Sequence, residues 1–164
     1  MEKKDKKEND YDIKLEYNKL KEKFTIPPYK ELAEDFDIEK VNEKESDFLL
    51  REIRRAVGEK ISSYMHFFEL LINPSSPPLF LFSVIKTINK ETKDKINSMY
   101  KGLAKFQIEA MKLDTIYDEK DEAKYINDIF DEWQKLKREI YKIMETFECN
   151  IEEIEEVRKG GYFG

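Results

Sequence analysis

Between Leu50 and Leu71 the apolar residues Leu50, Ile53, Val57, Ile61, Tyr64, Phe68 and Leu71 recur at steps of three and four, and the chain then runs into Asn73-Pro74-Ser75-Ser76-Pro77-Pro78. That spacing is one stripe of an α-helix. The prolines stop it, because proline cannot donate to the ladder and restricts the residue before it. The opposite line, Arg55, Glu59, Ser62, His66, Glu69 and Asn73, is polar throughout. The pattern therefore predicts a helix over 46–72, with Ser46 as N-cap and Asp47 in its first turn.

Past the corner, Leu79-Phe80-Leu81-Phe82-Ser83-Val84-Ile85 has no polar face, so periodicity alone leaves a buried strand and a buried helix equally open. No other stretch supplies partners for a sheet. The run is expected to be a short helix over 78–88, started by Ser76-Pro77 and inserted among the long helices, in an interior that alone suits such residues.

Upstream, Ile13, Tyr17, Leu20 and Phe24 mark an N-terminal helix that ends before Pro27-Pro28, and Leu32 and Phe36 mark a possible short one within 29–41. Downstream, Asn89 or Thr92 caps a helix over 90–113 with Ile96, Met99, Tyr100, Leu103, Phe106, Gln107 and Met111 inward, Gly102 and Ala104 permitting close approach. The last helix is expected over 118–158, opened by acidic residues 118–122 at its positive dipole end. In it Ile126, Trp133, Ile140 and Phe147 are spaced by seven, with Ile129, Leu136 and Ile143 interleaved; Ile151 and Ile154 follow after a four-residue slip. Gly160-Gly161 closes it.

The chain has 164 residues, enough for one core, and the segments 1–10 and 159–164 are too charged or too short to join it. The expectation is an all-α, single-domain helical bundle of about five helices over 11–158, with a long C-terminal helix, a charged, disordered N-terminal tail over 1–10 and a flexible C-terminal tail over 159–164.

Thirty-six acidic against 30 basic residues give a net charge of -6, so bulk phosphate binding is not favoured. The single Cys149 forms no internal disulfide; its acidic surroundings make an inert thiol, and the expected compartment is the reducing cytoplasm. No run approaches the roughly 20 apolar residues of a membrane helix. No cofactor is implied, since the five glycines form neither phosphate-binding pattern.

Chemistry-bearing groups are sparse. His66 shares a helical face with Ser62 and Glu69, but a mid-helix serine lacks both a strained elbow and free amides for an oxyanion hole. One histidine cannot supply the two Glu-x-x-His motifs of a di-iron bundle, nor one Cys and one His a structural zinc, and the acidic run 114–122 lacks the glycine of a calcium loop. No catalytic or metal site is expected.

The informative polar cluster is Arg51, Arg54 and Arg55, with Lys60 nearby. Lysine supplies 25 of the 30 cations, yet three of only five arginines fall within five residues, where a planar fork serves better than an ammonium. The cluster either bridges to Glu52, Glu59 or the acidic strip 31–45, or forms a patch for an anion or a partner. Three functional classes follow. The leading one is a non-enzymatic interaction or scaffold protein that contacts another protein, with homo-oligomerisation through the last helix possible. The alternatives are a nucleic-acid or ribonucleoprotein-associated factor docking through the arginines, and an enzyme with an unfamiliar site in the bundle interior.

Overall fold

Asp12 and the corners at Pro27-Pro28 and 73–78 divide the first half of the chain, and the helices fall between them. The computed structural model describes residues 12–43, 48–75 and 77–160. In chain order they form α1 (Ile13–Lys23), α2 (Tyr29–Phe36), a 3-10 turn (Ile38–Glu43), α3 (Leu49–Ile72), α4 (Leu79–Thr87), α5 (Lys90–Thr115) and α6 (Glu119–Gly160). No strand occurs among the described residues, and the fold is all-α.

Local chemistry explains most boundaries. Asp12 caps α1 by accepting from the Lys14 and Leu15 amides, Asn89 caps α5 by accepting from Thr92 N, and Asp118 Oδ1 accepts from the Lys120 and Asp121 amides at the start of α6. α2 ends where Asp37 turns left-handed at φ 51°. The expected Ser46 and Ser76 caps, the charged segment 1–10 and residues 161–164 lie outside the described residues.

Contacts set the layout. Ser62 to Gln107 and Arg54 to Ala110 make α3 and α5 antiparallel; Phe106 against Tyr125 and Gly102 beside Glu132 do the same for α5 and α6; Arg54 to Glu122 and Tyr64 against Trp133 run α3 and α6 parallel. The sequence stripes meet between these three helices: Ile53, Val57, Ile61 and Phe68 of α3, Ile96 and Leu103 of α5, and Ile126, Ile129 and Trp133 of α6 are all buried. Of the heptad seam of α6, Ile126, Ile129, Trp133, Ile140, Ile143 and Phe147 are buried within the chain and Leu136 is half-buried. The N-terminal layer, α1, α2 and the 3-10 turn, lies on this core chiefly through α3, and within the layer Tyr17 ties α1 to the linker before α2 by donating to the Pro27 carbonyl at 2.7 Å. At 42 residues α6 is about 63 Å long, against 24 and 26 residues in α3 and α5, and it outreaches both.

Two expectations are corrected. Met111, expected on the inner face of α5, is 64% exposed, because the stripe reaches the core at Ala110 and Leu113 instead. The second concerns the apolar run after the corner. The run 79–87 is a helix, but it is not inserted among the others. α4 packs on α6 chiefly through Leu81 and Val84, with Asn150 Nδ2 donating to Thr87 Oγ1 at 2.9 Å; Ser83 and Ile85 are half-buried, and its outer side is open. Leu79 is 90% exposed, Phe80 65% and Phe82 51%. The reason is geometric: a helix of nine residues laid on one neighbour buries one stripe, and an all-apolar sequence leaves equally apolar residues on the outside.

Candidate functional site

The arginine cluster stands where the first turns of α3 meet the end of α5 and the start of α6. Arg54 is 2% exposed and Glu122 is fully buried. Arg54 Nε donates to Glu122 Oε2 at 2.6 Å, its Nη2 to Asp114 Oδ1 at 2.7 Å and its Nη1 to the Ala110 carbonyl at 3.3 Å. A planar fork reaches three oxygens on two helices at once, which a lysine cannot do. The cation sits near the negative end of the α5 dipole, and Glu122 lies at the positive end of α6, so both helix ends support the pair.

Arg51 and Arg55 extend this network outward. Arg51 Nε faces Glu122 Oε1 at 3.6 Å, close enough for attraction but beyond a hydrogen bond, while its guanidinium lies over the rings of Tyr117 and Phe48, 4.8 and 5.6 Å from their centroids. Arg55 is half-exposed and pairs with Glu52 at 3.1 Å and Asp114 at 3.6 Å. The Arg54 hydrogen bond, followed by the charges of all three arginines, holds the Asp114 carboxyl below its ordinary 3.8. Burial works against the Arg54 charge, yet its bonds to Asp114 and Glu122 outweigh this and raise its pKa.

Lys60, two turns further along α3, belongs to a different contact. Its ammonium donates to the Asp35 carbonyl and lies 5.6 and 5.9 Å from the Trp133 and Phe36 ring centroids. The Asp35 side chain is gripped from α6 by Gln134 at 2.7 Å and Lys137 at 3.0 Å. Burial lifts the Asp35 carboxyl, and these two donors more than reverse it. The structure therefore brings Arg51, Arg54 and Arg55 together around Glu122 and Asp114, and places Lys60 apart from them.

Two of the deciding residues carry a signal in the sequence. Glu122 stands four before Ile126 on the α6 stripe, and Arg54 stands four after Leu50 and three before Val57. A charge on an apolar stripe announces a buried partner. Among the other residues considered, His66 and Glu69 are exposed, Ser62 donates to Gln107 Oε1 at 3.2 Å, and Cys149 is exposed. No group of three or more His, Cys, Asp or Glu among the described residues is placed to hold a metal ion, and no described helix is long and apolar enough to cross a membrane.

Apart from the charged surface, one accessible patch is apolar. The outward residues of α4, Leu79, Phe80 and Phe82, follow directly on Pro77-Pro78, and Lys86 lies 5.0 Å from the Phe82 ring centroid at their edge. Comparison with family models, with curated proteins and with solved structures returns no match.

Proposed function

We propose that this protein is a binding or scaffold protein that contacts another protein through the outer face of α4. The observation that carries the reading is the exposure of three large apolar residues, Leu79, Phe80 and Phe82, within four positions of one short helix. Scattered surface leucines need no explanation, but clustered aromatic and aliphatic groups at the end of a rigid corner have the composition of an interface centre. The arginines support the same reading by default. Arg54 spends its donors on oxygens of its own chain, leaving the half-exposed Arg55 as the accessible cation of the three.

A photo-crosslinking residue at Phe80, expressed in the native host, tests this. A discrete adduct lost in Leu79→Ser/Phe82→Ser and absent from a crosslinker at exposed Glu69 is the expected result. Identical adducts from positions 80 and 69 would remove the reading.

A further inference from the structure

The N-terminal layer shows how this molecule takes up a helix. α2 lies against α3 and reaches α6, where Phe36 meets the Trp133 ring at 5.6 Å and Lys137 holds the Asp35 carboxylate. The aromatic is the anchor and the charge pair fixes the register. Along the same two helices the trough continues upward without an occupant from the described chain. Ser63, Tyr64 and Phe67 stand three, four and seven residues beyond Lys60, and Met144 stands seven beyond Lys137, so they follow the same helical faces. These four line a cavity of about 270 Å³. It is an open depression rather than a closed void, so a side chain can enter it from solvent, and its volume exceeds the roughly 150 Å³ that holds a benzene ring.

The rim changes sign on the way up. Where α2 sits, α6 offers Lys137. Beyond it, α6 offers exposed Glu145 and Glu148, and the sequence has six glutamates between 145 and 156 with no lysine or arginine from 143 to 157. We propose that the Ser63–Tyr64–Phe67–Met144 cavity receives the apolar anchor of a basic amphipathic helix from another protein, with its lysines or arginines along Glu145 and Glu148. This is α2's own mode of docking with the charges reversed. The same carboxylates decide against the other occupants: a nucleic acid or an anionic membrane would be repelled, and a second copy would bring glutamate-rich helix ends together. This surface is distinct from the outer face of α4.

The test uses fluorescein-labelled helical peptides of about 16 residues, with Phe and Leu at four- and three-residue steps and either Lys or Glu on the flanks. Anisotropy against the full chain is read at about 0.05 and 0.3 M salt. The Lys peptide is expected to bind at least about tenfold tighter than the Glu peptide, with the preference shrinking at high salt. Met144→Lys should abolish binding. The exposed pair Glu145→Gln/Glu148→Gln, which leaves the core untouched, should weaken it about three- to tenfold. Phe82→Ser should leave it unchanged, which separates this site from α4. Equal affinity for the two peptides, absence of binding by the Lys peptide, or loss of binding in Phe82→Ser alone would each overturn the proposal. So would a dimer in sedimentation that Met144→Lys dissociates.

Discussion

The two ends of α3 are opposites. At its start the most polar side chain the genetic code provides, Arg54, is sealed against fully buried Glu122, while beyond its end the most apolar run in the chain stands half in water. Each arrangement goes against the usual partition, and each is made possible by what lies next to it. Arg54 is tolerated inside because three oxygens from two helices complete its hydrogen bonds. α4 is left largely outside because α6 is its chief neighbour and covers one side of it. The contrast teaches that at these two places burial follows the supply of partners rather than hydrophobicity, whereas the rest of the core is apolar as usual.

The sharpest way to break the comparison is at the buried end. Arg54→Ala or Glu122→Ala is expected to cost about 3–5 kcal/mol, since either strips a buried charge of its shortest hydrogen-bonded partner. Arg54→Met/Glu122→Met should recover most of that loss, because both charges leave together. Urea denaturation of the two singles and the double measures it; additive losses would show that the pair does not act as a unit.

At the other end, the two faces of α4 should behave differently. Leu81→Ala removes a buried contact on α6 and is expected to cost about 2–4 kcal/mol. Phe82→Ser should change stability by less than about 1 kcal/mol. Equal losses would mean that both faces are packed.

Acid sharpens the ionic half of the contrast. Asp114 and Asp35 titrate below their ordinary 3.8 in the fold, so the unfolded chain takes up protons first as pH falls. The stability they contribute is complete above about pH 5 and is lost as pH drops below 4 towards their folded values. Alkali acts with the opposite sign. Burial raises Tyr17, and it raises Tyr125 to about 12, so their contribution is intact below pH 10 and is lost as pH rises from 10 to 12. Urea midpoints across pH check both limbs. The smallest effect is Arg55→Ala, expected below about 1 kcal/mol because its pairs are half in solvent.

Much of the fold was legible. The three- and four-residue stripes of α1, α3, α5 and α6, the stops at Pro27-Pro28 and 73–78, and the Asn89 cap are all local properties, and local chemistry reads out in sequence. The surroundings of the arginines were harder. Of the acceptors anticipated for them only Glu52 engages, on Arg55, whereas Glu122 and Asp114 lie some 60 residues away, where no spacing rule reaches. α4 failed for another reason: with no polar residue to mark an outer face, its pattern carries no information on which side is covered.

Thiol labelling on a Cys149→Ser background addresses the inverted partition most directly. Single cysteines at Phe82 and Leu81, adjacent in sequence on one helix, report its two sides under native conditions. Phe82→Cys should react at the rate of an unfolded thiol and Leu81→Cys at least about a hundredfold more slowly, through opening of the structure. Comparable protection at both positions would mean that α4 is enclosed, and that the open apolar face does not exist.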